Sequence, residues 1–497
     1  MFNEVKNLVD ARAFLSEEIF MFIPDVHWIW SIMLVIILSI ILSNEIKSLY
    51  ISKVVIDLTI PVIFFSIFFV FLFKDINLLS LSTLKIDNFY FIFRELFLLF
   101  LFLCLISYRN FFLLEKIYLY EFTIILLLSV EGSFLMLMAD NLFTFYLAIE
   151  IQNLCFYIMA SLKRYSNFST EAGLKYFLFG VFSSSMLLFG ISLIYGLLGT
   201  LDLKEIYILA NYESFENHDL LLFVGLLFFI CGLLFKFGSV PFHYWVMDVY
   251  EGSPTIVTMF FTIFPKIVLT FFFVKLYFFV FVFNMTFFSV LLFICGLLSI
   301  SIGVINAMYQ YKIKRFFAYS SIVNVGFVLI AFSSMTFDGF FSGLYFIFCY
   351  LFSISLIFFI LINVRRYNFV EFNKLFDFSN LNSSDSILLL IISFIFLSFA
   401  GIPPLAGFFG KFFVFFSIFN SYNYLVLFII FIFSVVSAFY YLRVIRFMYF
   451  TKITQYGYYY ININYLFFTF FFINILFFLF FDYFGEFFYF MLIRTFL

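Results

Sequence analysis

Runs of about 20 apolar residues recur along almost the whole of this 497-residue chain, and each is long enough to cross a hydrocarbon core of roughly 30 Å as a helix. With 66% hydrophobic and 11% charged residues, the chain lacks the polar surface that a soluble domain needs to cover itself. The runs are continuously apolar, which excludes a β-barrel, whose strands alternate apolar and polar residues. The expected fold class is therefore an all-α polytopic membrane protein of about 14 transmembrane helices. Spans are expected at 28–43, 53–73, 88–107, 118–138, 142–162, 172–198, 220–247, 253–282, 286–308, 314–334, 338–363, 388–419, 422–448 and 461–482. The longest polar connectors, about 201–219 and 363–386, are too short for a soluble domain.

Composition narrows the chemistry further. The five cysteines (Cys104, Cys155, Cys231, Cys295, Cys349) are far apart inside apolar segments, with no C-x-x-C and no nearby His, which argues against iron–sulfur, zinc and disulfide roles. No G-x-G-x-x-G follows a strand-like segment, so no nucleotide cofactor is expected, and no basic run points to nucleic acid. Met1 to Phe22 carries Glu4, Asp10, Glu17 and Glu18, matching neither a basic secretory leader nor an acid-poor transit peptide. Phe occurs 94 times, although Leu would serve equally well against lipid. We read that excess as mutational bias toward AT-rich codons, and hence as a sign of an organelle genome.

Two long runs are interrupted in the same way. Gly238-Ser239-Val240-Pro241 breaks the stretch from Leu221 to Trp245, and Gly401-Ile402-Pro403-Pro404 breaks the stretch from Leu388 to Phe419. A broken membrane helix exposes backbone groups that survive only where protein or a water-filled cavity satisfies them. Each break has one lysine beside it, Lys236 and Lys411, which suggests an ion path. The breaks sit about five spans apart, as expected of one five-helix unit duplicated in tandem. An odd number of crossings per unit forces the second copy into inverted topology.

Few charges occur at membrane depth, where each costs on the order of 2.5 to 3.5 kcal/mol on the insertion scale. Glu150, Lys236, Lys266 and Lys411 lie well inside their spans. A lysine at such depth holds its proton less tightly, and an approaching carboxylate restores the hold. Moving one against the other is the minimum machinery of a proton pump, with Glu150 the obvious candidate partner of Lys236. Lys275 is expected to snorkel to the interface. Glu171 and Lys175, four apart on one helix face, read either as an interfacial ion pair or as part of proton delivery. Glu131 falls inside an apolar span beside Gly132 and Ser133, where a polar contact with another helix has room to form. His243, just after Pro241, reads either as a proton relay or as a satisfied hydrogen bond at the break.

Several segments together resemble a known family. They are Glu171-Ala-Gly-Leu-Lys175-Tyr-Phe with Ser183-Ser184, Val240-Pro-Phe-His243-Tyr-Trp245, Asp248-Val-Tyr-Glu-Gly-Ser-Pro254-Thr, Lys314-Arg-Phe-Phe-Ala-Tyr-Ser-Ser321 and Ala400-Gly-Ile-Pro-Pro-Leu-Ala-Gly-Phe-Phe-Gly-Lys411. From about residue 120 to 450 the chain resembles the subunit 2 family of NADH:ubiquinone oxidoreductase, respiratory complex I. The resemblance implies two inverted five-helix antiporter-like repeats with broken helices, and proton translocation driven by quinone reduction elsewhere in the complex. It implies a division into N-terminal helices (1–115), a first repeat (116–282), a second repeat (283–450) and a C-terminal helix and tail (451–497).

Carried over by motif, Glu150 matches the family's essential glutamate, Lys236 its paired lysine on the first broken helix, Lys266 the bridging lysine and Lys411 the lysine of the second broken helix. Glu171, Lys175 and His243 stand as possible relays. The resemblance implies no cofactor and no metal in this chain, with FMN, iron–sulfur clusters and ubiquinone in other subunits of the complex. Its partners would be the other membrane-arm subunits, including the related antiporter-like ones, within the lipid bilayer of the mitochondrial inner membrane. Two positions depart from the pattern: Asn324 stands where the family commonly has His, and Cys155 where many relatives have Pro. Asn holds water but takes up no proton near neutral pH. A cation/proton antiporter subunit independent of NADH is the alternative, against which the Asp248 to Pro254 segment argues. A structural subunit without pumping would have little reason to keep four charges at depth.

Overall fold

The computed structural model describes residues 22–45, 48–73, 79–80, 83–115, 120–210, 219–279, 285–365, 371–383, 386–421, 424–450 and 460–461. The acidic N-terminal stretch up to residue 21 and nearly all of the expected span 461–482 and C-terminal tail lie outside the described residues. Among them, helix dominates, joined by two antiparallel pairs of two-residue strands. Among the described residues, twelve helices are long and apolar enough to cross a membrane. This is a multi-pass membrane protein.

Contacts divide the chain into two compact units, 1–156 with 494–497, and 157–493. The first holds α1 (Ile23–Glu45), α2 (Ser48–Phe73), α3 (Asn88–Glu115), α4 (Glu121–Met138) and most of α5 (Leu142–Ala160). Asp87 caps α3 by accepting the Tyr90 N–H at 2.8 Å, which satisfies one of the donors that every helix start leaves unpaired. α1 packs on α2 and α4, and α2 on α3, while the other faces of α1 and α2 carry exposed Trp30, Met33, Phe64 and Phe68.

The second unit holds α6 (Asn167–Leu198), a short α7 (Leu203–Ala210), α8 (Asp219–Phe237), α9 (Tyr244–Gly252), α10 (Thr255–Phe279), α11 (Met285–Tyr309), α12 (Ile313–Ser333), α13 (Phe337–Asn363), α14 (Ser386–Ala400), α15 (Ala406–Ser421) and α16 (Tyr424–Phe450). The connectors 201–219 and 363–386 carry α7 and a 3₁₀ helix over Leu375–Ser383. Burial sorts the long helices. The apolar windows of α10, α12 and α13 are 94% buried, whereas that of α16 is 28% buried, so the first three are the middle of this unit and α16 lies at its surface.

Lipid offers no hydrophobic force between helices, so close backbone approach through small residues must hold them together. α11 and α12 meet at Gly296, Gly303 and Gly326, where an added methyl would press on Ile330, Val323 and Ile300. Serines within the spans turn their hydroxyls back on their own helix, as Ser183 does to the Gly180 carbonyl and Ser299 to that of Gly296, each at 2.7 Å. Such a bond keeps a hydroxyl from being left dry in the apolar interior.

Both expected breaks are present, and they end their first halves identically. At the first, the Gly238 N–H bonds the carbonyls of Leu234 and Phe235, and the Ser239 N–H reaches back to Leu234 at 3.2 Å. At the second, the Gly401 N–H bonds Leu397 and Ser398, and the Ile402 N–H reaches back to Leu397 at 3.2 Å. This is the left-handed glycine cap, with φ of 76° at Gly238 and 81° at Gly401; Val240–Pro241 and Pro403–Pro404 are cis. At Gly401 an added Cβ would also lie 2.9 Å from Lys411 Cδ, so the lysine would have to shift. Gly401→Ala should therefore lower the yield of assembled protein or its thermal midpoint, the left-handed conformation alone costing about 1–2 kcal/mol. A thermal-shift measurement on the solubilised protein checks this, and an unchanged midpoint would refute it.

Candidate functional site

The second unit brings two of the four expected charges into one series. Lys266 sits on α10 directly after Pro265. Proline has no N–H, so the carbonyl four residues earlier loses its helical donor; the Tyr250 hydroxyl of α9 supplies it instead, donating to the Phe261 carbonyl at 3.2 Å. Lys266 is buried, and its Nζ has no hydrogen-bond partner among the described residues. It lies 5.3 Å from the ring centre of Tyr350 on α13, a cation–π contact that partly replaces lost hydration.

Tyr350 leads on to Lys411. A cavity of about 20 Å³ is lined by Tyr350, Asn324, Ser353, Ser398, Gly407 and Lys411, among others, which is about the room one water molecule needs. Lys411 Nζ donates to the Ala400 carbonyl at 2.9 Å and to Ser437 Oγ at 3.4 Å. Ala400 is the last residue of α14, so the ammonium of α15 caps the negative end of the half-helix before it. At the first break that work is done by neutral groups. Ser239 Oγ donates to the Leu234 carbonyl at 3.1 Å, and the Trp245 indole N–H to that of Phe235 at 3.0 Å.

Lys236 stands in the last turn of α8 with its Nζ buried. Glu150 lies on α5 and accepts from Asn153 Nδ2 at 3.3 Å. The two belong to different units. Lys275, expected to snorkel, is buried at 2% exposure with Nζ 5.1 Å from the Phe271 ring centre. α10 is enclosed by protein through Leu276, which removes the interface that a snorkelling lysine needs.

Glu171 and Lys175 do pair, at 2.7 Å, and Lys175 also meets Asp248 Oδ2 at 2.7 Å. Alongside, Glu251 takes Lys312 and Arg315, and these six charges line an open pocket of about 150 Å³. Exposed pairs of this sort add little stability. His243 is buried against Tyr244, with Nδ1 lacking a partner among the described residues. Its ring also meets the backbone of Pro241 at the break. The sequence did not single out Tyr350 or Ser437, for neither differs in type from the many tyrosines and serines of the spans.

The family model described as NADH:quinone oxidoreductase/Mrp antiporter, TM, matches residues 139–437. The chain belongs to that family. Within it, the chain is 39% identical over 372 residues to NADH-ubiquinone oxidoreductase chain 2 of Marchantia polymorpha, covering 74% of this chain and 75% of the relative. It is 36% identical to NADH-quinone oxidoreductase subunit N of Pelagibacter ubique, covering 68% and 70%. Among solved structures, a chain of respiratory complex I from Thermus thermophilus aligns at TM-score 0.74 and 23% identity, over 91% of this chain and 97% of that one. A chain of the Mrp complex from Dietzia aligns at 0.70 and 17%. These two likenesses are of fold, that of an antiporter-like membrane domain. Among the described residues, no group of His, Cys, Asp and Glu could hold a metal ion.

Proposed function

We propose that this chain carries protons across its membrane as an antiporter-like membrane-arm subunit of a respiratory NADH:quinone oxidoreductase, with the redox chemistry done by other subunits. The observation that carries the reading is the buried series Lys266, Tyr350, Asn324 and Lys411, which strings proton-exchanging groups and room for a water through the middle of the second unit. A fixed structural role would leave Lys266 Nζ with a hydrogen-bond partner, because an unpaired buried ammonium destabilises the fold.

In this reading Glu150 modulates Lys236, Lys266 passes the proton along, and Lys411 is the terminal site. Asn324 holds the water between them. Glu171 and Lys175 with Asp248, and His243 at the first break, are the relays nearest the ends. Residues 116–282 and 283–450 act as the two inverted repeats, each with one identically capped break, preceded by the N-terminal helices and followed by the tail. FMN, iron–sulfur clusters and ubiquinone belong to other subunits, and the neighbours are the related antiporter-like ones. The phenylalanine excess and the plant ubiquinone-oxidoreductase relatives support an organelle-encoded protein of the mitochondrial inner membrane.

A cation/proton antiporter that works without NADH is the competing reading, supported by the Mrp likeness. A native gel of source membranes, stained for NADH oxidation and analysed by mass spectrometry, separates the two. The chain is expected in the NADH-active band; its presence only in an inactive band would favour the antiporter.

A further inference from the structure

The proposed path uses nothing from the first unit except Glu150, yet that unit contains a buried charge cluster between α1, α3 and α4. Arg94 of α3 is fully buried. Its Nη1 donates to Asp25 Oδ1 and to the Tyr90 hydroxyl oxygen, its Nη2 to the Pro24 carbonyl at 2.8 Å, and the Tyr90 hydroxyl donates to the same Asp25 oxygen at 2.6 Å. The guanidinium lies 4.6 Å from the ring centre of Phe134 on α4. Three residues before Phe134 on that helix stands Glu131, whose Oε2 is buried without a hydrogen-bond partner among the described residues. Asp25 Oδ2 and Arg94 Nε are in the same condition.

Asp25 of α1 and Arg94 of α3 both act electrostatically on Glu131. His27, also on α1, faces Phe69 at 4.8 Å. A guanidinium keeps its charge at any accessible pH, and Asp25, holding two donors, balances it. An ionised Glu131 would then leave a net negative charge inside an aromatic-lined interior, where an uncompensated ion costs several kcal/mol. One proton removes that cost.

We propose that Asp25, Tyr90, Arg94 and Glu131 form a proton-holding site in which Glu131 carries the proton. The unused valences define how it exchanges. When Arg94 turns from Asp25 to Glu131, the proton leaves Glu131 Oε2 and is taken by Asp25 Oδ2, one O–H bond breaking as another forms and the total charge staying constant. This gives the chain a proton store separate from the lysines, and it stands whether or not Lys266 and Lys411 carry protons.

Infrared difference spectroscopy of the intact purified protein in light and heavy water tests it. The wild type minus Glu131→Gln spectrum should show one carboxylic-acid C=O band with a deuterium shift, and Glu131→Asp should move that band without abolishing it. Asp25→Asn should also remove the band although Glu131 is still present, because Arg94 then has Glu131 as its remaining carboxylate. If Glu131→Gln and Asp25→Asn both leave the acid bands unchanged, Glu131 is ionised and the proposal fails. If Glu131→Gln does not accumulate, the Asp25→Asn spectrum decides alone.

Discussion

Lys411→Met should reduce proton transport coupled to turnover by on the order of 100-fold, the scale on which a positioned proton-transfer group contributes. Two effects combine. The variant loses the ammonium that exchanges protons with the cavity beside Tyr350 and Asn324, and it leaves the Ala400 carbonyl at the end of α14 without its donor. An unsatisfied buried carbonyl costs about 1–3 kcal/mol, so a modest loss of stability is expected as well. Lys411→Arg separates the two: it keeps a donor for Ala400 but a charge that does not titrate, and should restore stability without restoring transport. Quenching of a ΔpH-sensitive dye in sealed vesicles, beside thermal melting of the same preparation, reads both. Equal transport in Lys411→Arg and wild type would show that Lys411 is a structural cap only.

Lys236→Met is the second large effect, of similar size on coupled transport and with assembly nearly intact. The first break is already closed by Gly238, Ser239 and the Trp245 indole, so Lys236 is not needed to satisfy the end of α8. Its presence there in the last turn, with Nζ buried, has to be explained by something other than capping, and a charge held at membrane depth is more often functional than structural. NADH-driven proton uptake into vesicles, normalised to the amount of assembled complex, measures it. Normal pumping by the variant would remove Lys236 from the path.

The helical class, both breaks and the burial of the Lys236 Nζ, Lys266 and Lys411 were legible in the sequence because membrane depth leaves so few alternatives. A Gly-x-x-Pro inside an apolar run can only be a break, and a charge there can only be enclosed. Which helix is central was not legible, for α10 and α16 are similarly apolar but differ between 94% and 28% buried; for that reason Lys275 looked like a snorkelling residue. Nor could the sequence show that Lys411 reaches back across the break to Ala400, or that Tyr250 serves the carbonyl that Pro265 leaves open. Both are side chains meeting a backbone group more than ten residues away, and no periodicity records such a contact. Asp25 and Arg94 meet across 69 positions in the part of the chain where the family resemblance is weakest.

On the proposed function, Lys266 and Lys411 lie on one proton path through Tyr350 and the cavity beside it. A double-mutant cycle tests this most directly, with NADH-driven proton transport measured in sealed vesicles for Lys266→Met, Lys411→Met and the two combined. Two sites in series on one path give a double variant no worse than the weaker single one, since one interruption already stops the flow. Losses that multiply, or a single variant that transports normally, would contradict the account.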